Sequence, residues 1–240
     1  MVPLSKSGWR KPRGFESPPL RRMTVLAFDV NETLLDLRAL DAPFTAAFGD
    51  AALRPQWFAL MLQLAFVGGL TGTYVDFSTA QRSAIALLAK RQKVALSADQ
   101  ASGILEGMKT LPPHPEVRAA MEQLRGRFRL VALTNSPADV AEAQMRNSGL
   151  RDLLEGVFSA DAVKRLKPAP EPYRMVADRT GVPIGDVRLV AAHGWDIAGA
   201  LAAGCRAAFV ARPGAALYPY GPQPDVIAPD LAGVADALLP

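Results

Sequence analysis

The apolar run at 25–28 ends in an acid, and this is the first place in the chain where side chains could do chemistry. Asp29 follows the run directly, and Asn31, Glu32 and Thr33 come next. In an open parallel α/β sheet, ligands bind beyond the carboxyl ends of the strands, so an acid here would face a pocket. A single acid at a strand end is more often only a turn or N-cap residue. Its function therefore depends on what other segments bring to the same edge.

Three later segments bring polar side chains to that edge. Thr134 and Asn135 end a strand-like run, Lys167 lies on a loop, and a further strand-like run leads to His193 and Asp196. Taken singly, these residues have ordinary roles as caps or solvated side chains. Together they combine hydrogen-bond donors, a cation and a second acid. A lysine beside a strand-end aspartate keeps that carboxylate ionised, so that it can attack carbon or phosphorus as a covalent nucleophile.

Strand-like and helix-like segments alternate from residue 116 onward. Runs of branched and aromatic residues are separated by amphipathic segments of about ten residues, which predicts an α/β fold with a parallel sheet covered by helices on both faces. The predicted strands are 25–28, 128–136, 156–161, 186–196 and 206–212.

A long helical region separates the first strand from this alternation. Apolar residues recur there at three and four positions, no strand-like run interrupts them, and the prolines of 111–115 end the region. A helical insertion placed directly after the first strand is best explained as a cap domain over the crevice. The predicted division is a disordered basic tail at 1–22, a core formed by 23–37 and 114–240, and a helical cap at 38–113.

Composition excludes several classes of protein. Half of the 240 residues are hydrophobic and 21% are charged, which is ordinary for a globular protein. The single cysteine, Cys205, lies among apolar neighbours, so we expect a buried structural thiol and a reducing, cytoplasmic compartment. No apolar run reaches the roughly 18 residues of a membrane span, so no membrane partner is expected.

Positive charge is concentrated at one end of the chain. Residues 1–22 carry six basic side chains and one acid, whereas the remaining 218 residues carry 21 basic and 22 acidic ones. The body of the chain is therefore nearly neutral and is not expected to bind nucleic acid. The expected partner is a small-molecule substrate.

Several motifs together resemble the haloacid dehalogenase superfamily, and within it the type II (S)-2-haloacid dehalogenases. They are FDVNETLLDL, LTNS, KPAPEPY, GWDIAGALAAG and the TYVDF of the helical region. The resemblance covers about 190 residues, from Met23 to Arg212, and it is specific at the level of the superfamily. It implies a Rossmann-like parallel sheet core with an inserted all-helical cap.

The resemblance also implies a catalytic set. Asp29 would displace halide from C2 of a short 2-haloacid, and water would hydrolyse the resulting ester. Thr33 would hydrogen-bond Asp29, Lys167 would stabilise it, and Asp196 would orient Lys167 or help to activate water. No metal and no cofactor would be needed. The substrate-binding candidates are Asn31, Phe58, Thr134, Asn135, Tyr173 and Trp195.

Two departures separate the chain from the phosphatases of the superfamily. Those enzymes use a second acid two residues after the nucleophile, where this chain has Asn31, and a magnesium-binding acid at the position of Ala192. Losing both argues against phosphoryl transfer, in which Mg²⁺ and protonation of the leaving group do most of the work.

Other departures concern the dehalogenases themselves. These usually have an aromatic residue at the position of Asn31, Ser and Asn at those of Ala191 and His193, and a substrate-binding arginine at that of Phe58. A phenyl ring cannot replace a guanidinium group for binding a carboxylate. His193 could compensate, either as the base for ester hydrolysis or as a cation that holds an anion, or it could be a neutral histidine bonded to a loop carbonyl.

Three hypotheses for function follow. The main one is a metal-independent hydrolase of the type II haloacid dehalogenase group, acting through an Asp29 ester. The alternatives are a phosphatase-like hydrolase of a small metabolite and a catalytically silent homologue that binds a ligand. The segment 55–70 is uncharged and strongly apolar, which leaves open a homodimer through the cap or burial against the core.

Overall fold

The computed structural model describes residues 24–239, so the predicted tail at 1–22 lies outside the described residues. Within this range six strands form one parallel sheet, in the spatial order β3-β2-β1-β4-β5-β6. The strands are β1 (Val25–Phe28), β2 (Arg129–Thr134), β3 (Gly156–Ser159), β4 (Val187–Ala191), β5 (Arg206–Val210) and β6 (Val226–Ala228).

The central position of β1 follows from its apolar sequence. All four of its residues are buried, as expected for a strand covered on both faces. Phe28 lies opposite Ala132 of β2 and Val190 of β4. Because parallel strands share this register, the residues that follow them meet at one edge of the sheet. The order of strands changes direction at β1, which is where open α/β sheets bind ligands.

Helices cover both faces of the sheet and fill the connection between β1 and β2. Five of them lie in that connection, namely α1 (Asp41–Phe48), α2 (Leu53–Thr71), α3 (Phe77–Gln92), α4 (Ala98–Gly107) and α5 (Val117–Arg125). The others follow later strands and are α6 (Ala138–Asn147), α7 (Pro170–Thr180), α8 (Gly194–Ala203) and α9 (Leu231–Leu238). None of the helices in residues 24–239 is long and apolar enough to cross a membrane.

The hydrophobic core lies on both sides of the sheet because strand side chains alternate in direction. Leu26 and Phe28 pack in one cluster with the helices of the β1–β2 connection, while Val25 and Ala27 pack in a second cluster under α7 and α8. In the first cluster the buried Trp57 donates its indole N–H to the Gln81 carbonyl at 3.1 Å. This bond ties α2 to α3.

The segment after β1 makes a turn, closed by a bridge between Asn31 and Leu35, and a short 3₁₀ helix begins at Leu37. The predicted strands differ from the structure chiefly at two places. The predicted strand 186–196 ends at Ala191, because α8 already begins at Gly194. The sequence pattern also missed β6, since three residues between proline-containing segments give little strand signal.

Candidate active site

Asp29 lies at the edge of the sheet, where it is 5% exposed. Its Oδ2 accepts the Thr33 hydroxyl at 2.7 Å and contacts His193 Nδ1 at 3.0 Å, while its Oδ1 lies 2.8 Å from Lys167 Nζ. The Thr33 hydroxyl oxygen in turn accepts the Ala192 backbone N–H at 2.9 Å. Because the Thr33 oxygen accepts that bond, its hydroxyl hydrogen points toward Asp29. Both carboxylate oxygens are thus fixed.

Lys167 is fully buried and connects two carboxylates. Its Nζ lies 2.8 Å from Asp29 Oδ1, 2.6 Å from Asp196 Oδ2 and 2.9 Å from the Leu133 carbonyl. An ammonium group has three donors, so every N–H of Lys167 is used. The buried cation therefore has a complete set of acceptors, which is what makes burial of a charge tolerable.

Two further side chains hold this ion cluster in place. The Asn135 amide pairs with the backbone of Lys167, accepting its N–H at 2.8 Å and donating to its carbonyl at 3.2 Å. Tyr173 donates its hydroxyl to Asp196 Oδ1 at 2.5 Å. Asp196 lies in the first turn of α8 but does not cap it, because both of its oxygens face Lys167 and Tyr173.

The electrostatics of this cluster favour an ionised Asp29. Burial by itself would raise the pKa of Asp29, but the charge of Lys167 and the hydrogen bond from His193 bring it well below its usual range. Burial would likewise lower the pKa of Lys167, and the two neighbouring carboxylates raise it above its usual value instead. The nucleophile candidate is therefore an anion beside a permanent cation.

His193 is bonded to carboxylates rather than to a loop carbonyl. Its Nδ1 lies 3.0 Å from Asp29 Oδ2 and its Nε2 lies 3.0 Å from Glu32 Oε2. Burial by itself would lower the pKa of His193, but the hydrogen bonds to Asp29 and Glu32 raise it from 6.5 to about 9. Both ring nitrogens then carry protons at neutral pH. This rules out the neutral, carbonyl-bonded histidine that was one of the sequence-based alternatives.

Two aromatic rings stack on the His193 imidazole. Phe58 from α2 stacks on it at 5.6 Å between ring centroids, and Trp195 stacks at 5.2 Å. The faces of aromatic rings attract cations, so this arrangement stabilises the charged imidazole. Phe58 is therefore a neighbour of a cation, in the region where the resemblance expects a guanidinium group.

The bonded side chains surround a cavity of about 10 Å³, which has room for about one water molecule. Five of the six substrate-binding candidates line this cavity. The sixth, Tyr173, hydrogen-bonds Asp196 and does not line the cavity. A larger cavity of about 710 Å³ shares His193 and Trp195 with the small one. The small cavity is lined by Asp29, Asn31, Phe58, Leu62, Phe77, Thr134, Asn135, Lys167, His193 and Trp195.

Two site residues were missed by reasoning from sequence. Glu32, which bonds His193, adopts a left-handed φ of 60° in the turn after β1, and its other oxygen lies 3.7 Å from the Arg54 guanidinium. Gln144 of α6 reaches the side chain of Asn31 at 3.0 Å. Glu32 lies within the first motif, which is the only signal that could have singled it out. Nothing in the sequence distinguishes Gln144.

A buried, ionised aspartate paired with a lysine at the end of a central parallel strand is suited to a hydrolase that forms a covalent aspartyl intermediate. The chain belongs to the haloacid dehalogenase-like hydrolases, whose family model matches residues 23–204. This confirms the resemblance noted from the motifs, and with it the α/β fold class.

Individual relatives agree with this assignment. The chain is 28% identical to haloacetate dehalogenase H-2 of Moraxella sp. (strain B), over 92% of this chain and 98% of that protein. It is 29% identical to the (S)-2-haloacid dehalogenase of Xanthobacter autotrophicus, over 78% of this chain and 74% of that protein. The solved L-2-haloacid dehalogenase from Xanthobacter autotrophicus with chloropropionic acid covalently bound superposes with a TM-score of 0.83, at 24% identity, over 90% of this chain and 98% of that one. This last likeness shows the fold.

Proposed function

We propose that the protein hydrolyses the carbon–halogen bond of a small 2-haloacid through an ester of Asp29. The observation that carries this proposal is the ionised Asp29, buried against Lys167 beside a cavity with room for about one water. The names of the curated relatives, haloacetate and (S)-2-haloacid dehalogenases, support the same chemistry.

In the first step Asp29 attacks C2 of the substrate. Oδ1 accepts one hydrogen bond and Oδ2 accepts two, so Oδ1 keeps more free electron density and is the attacking atom. A C–O bond forms as the C–halogen bond breaks, and the halide leaves with the bonding electron pair. The reaction needs no proton, which agrees with Asn31 at the position where phosphatases carry a second acid.

In the second step water attacks the carbonyl carbon of the ester. Thr33 remains bonded to the carbonyl oxygen and Lys167 stabilises the negative charge that develops. Once Asp29 is an ester it no longer carries a charge, so one of the two interactions that raise the pKa of His193 is lost. His193 then releases its Nδ1 proton to solvent and, now neutral, takes a proton from the attacking water as the general base. It gives this proton to the departing alkoxide oxygen of the 2-hydroxy acid, and the proton of the regenerated Asp29 carboxyl returns His193 to its charged form.

The geometry does not favour the phosphatase alternative. The position of the magnesium-binding acid is Ala192, whose methyl group offers no ligand and whose backbone N–H is used by Thr33. A cation, Lys167 Nζ, already lies between Asp29 and Asp196. Magnesium would have to compete with this ammonium for the same carboxylate oxygens.

The helical segment 38–113 serves as the cap in this proposal. Phe58 and Leu62 of α2 and Phe77 of α3 close the cavity over the strand ends. The same segment exposes apolar side chains, with Leu70 of α2 88% exposed, so a homodimer through the cap remains our proposal for its assembly. The single, buried thiol of Cys205 supports a reducing, cytoplasmic location.

The test is halide release from chloroacetate, fluoroacetate and (S)-2-chloropropanoate in the presence of EDTA, with Asp29→Asn as the variant. Release that survives chelation and falls at least about 10³-fold in the variant supports the proposal. The exposed Asp178 on α7 provides the matched control, since Asp178→Asn should leave release unchanged. If the parent protein releases no halide from any of the three acids, the proposal is wrong.

A single turnover in H₂¹⁸O separates the ester pathway from direct attack by water. In the ester pathway the oxygen transferred to the product comes from Asp29 Oδ1, so the first hydroxy acid formed is unlabelled. Direct displacement by water would label the product in the first turnover, and that result would contradict the Asp29 ester even if halide is released.

A further inference from the structure

Most hydrogen-bond donors around the catalytic cavity are already used within the protein. All three N–H groups of Lys167 have acceptors, and both ring nitrogens of His193 contact carboxylates. The Asn135 amide is paired with the backbone of Lys167. A substrate carboxylate that enters the cavity must therefore find its donors elsewhere. Phe58, at the position where the resemblance expects an arginine, offers none.

The side chain of Asn31 offers such a donor. Asn31 is 5% exposed and lines the cavity. Its Oδ1 accepts a hydrogen bond from Gln144 Nε2 at 3.0 Å. Among the described residues no acceptor is paired with its Nδ2, and this group is available to a ligand. The function of Asn31 thus depends on which way its amide is turned.

A backbone carbonyl decides that orientation. Gln144 Nε2 also donates to the Met108 carbonyl at 2.8 Å. A carbonyl oxygen can only accept, so the Gln144 atom facing it must be the NH₂ group. The same NH₂ group faces Asn31, which must therefore present its oxygen to Gln144. The Asn31 NH₂ group is left on the other side of its amide. The orientation follows from hydrogen-bonding rules rather than from the similar shapes of amide oxygen and nitrogen.

Gln144 is placed to keep this arrangement fixed. It is fully buried in α6, and its own Oε1 has no hydrogen-bond partner among the described residues. A buried amide with an unpaired oxygen is costly, and an apolar side chain of similar size would avoid that cost. The bond to Met108, just after α4, connects the end of the helical segment to the cavity. No packing requirement explains a glutamine here.

We propose that Gln144 is a positioning residue that holds the Asn31 amide with its NH₂ group toward the cavity, where this group binds the substrate carboxylate. The inference rests on the proposed dehalogenase function and names how that site recognises an acid. Asn31 then supplies the donor that Phe58 cannot. A neutral amide fits a cavity that already holds two cations, because a third cation would be repelled by Lys167 and His193.

The test compares the Michaelis constants of three variants for chloroacetate. Gln144→Met has a similar shape and no donor, so we expect KM to rise about tenfold or more while kcat changes less than about threefold. Asn31→Leu should raise KM at least as much. Because Gln144 acts through Asn31, the double variant should match Asn31→Leu alone. The exposed Gln123 of α5 gives the matched control, Gln123→Met, with an unchanged KM.

A second measurement keeps the proposal testable if Gln144→Met folds poorly. In Gln144→Leu the side chain is again apolar but smaller, so Asn31 loses the same partner. KM for chloroacetate should again rise about tenfold or more. If both Gln144 variants are folded and keep the KM of the parent protein, or if the double variant adds the two effects, the inference is wrong while dehalogenation stands. If the parent releases no halide, both proposals fall.

Discussion

His193 should make the stability of the protein depend on pH in a specific window. The structure raises its pKa from 6.5 to about 9, so the folded protein binds this proton more tightly than the unfolded chain does. A group of this kind stabilises the fold fully below pH 6.5, and the stabilisation is lost as the pH rises through 9. At about 1.4 kcal/mol for each pKa unit, the full contribution is about 3 kcal/mol.

The variant His193→Asn removes this contribution. We expect its free energy of unfolding to be about 3 kcal/mol below that of the parent protein at pH 6 and about 1 kcal/mol below it at pH 8. Above pH 9.5 the His193 proton contributes nothing, so this difference should disappear. Urea denaturation at each pH measures the difference. His114→Asn is the matched control. Burial lowers the pKa of His114, so its replacement removes no stabilisation between pH 6.5 and 9.

Direct titration provides an independent check. The chain has two histidines, so NMR signals of the rings can be assigned by comparing the two variants. One ring should titrate near pH 9 and the other below 6.5. A stability difference that stays constant from pH 6 to 9, or a His193 ring that titrates below 7, would refute the pairing with Asp29 and Glu32.

Two further substitutions test the buried cluster and its packing. Lys167→Met leaves the Asp29 and Asp196 carboxylates without their shared cation. We expect the free energy of unfolding to fall by about 3–5 kcal/mol and halide release to fall at least about 10³-fold. A folded variant with parent-like release would contradict the role of Lys167. In Gly199→Ala the new Cβ would lie 2.5 Å from Pro168 Cβ. This overpacking should lower the free energy of unfolding, measured by urea denaturation, by about 1–3 kcal/mol, and it should slow halide release by displacing Lys167. An unchanged urea midpoint of unfolding would show that α8 moves freely.

Residues at strand ends could be predicted from the sequence because a general rule places them. Buried parallel strands are recognisable as apolar runs, and the rule that ligands bind at their carboxyl ends then brings Asp29, Thr134 and Asp196 to one edge. Their convergence needed no knowledge of side-chain contacts. The motifs at these positions also sufficed to identify the family, since they are distributed along most of the chain.

Contacts between side chains from distant segments could not be predicted in this way. Glu32 meets His193 because the backbone at Glu32 adopts a left-handed conformation, which favours glycine and asparagine and has no signal in a glutamate. Gln144 is one polar residue within an amphipathic helix, and its contact with Asn31 spans 113 positions of the sequence. The charge state of His193 depends on its contact with Glu32 and was therefore left open.

The size of the catalytic cavity indicates which part of the site must move to admit a substrate. Even a haloacetate is larger than the single water for which the cavity has room. The core side of the cavity is fixed, since Asp29 and Lys167 are held by buried hydrogen bonds whose loss would be costly. On the side of the helical segment, Phe58, Leu62 and Phe77 make only apolar and stacking contacts with the site. These contacts can shift without unpairing a buried charge, so the expansion that accommodates the substrate falls on α2 and α3 rather than on the strand ends.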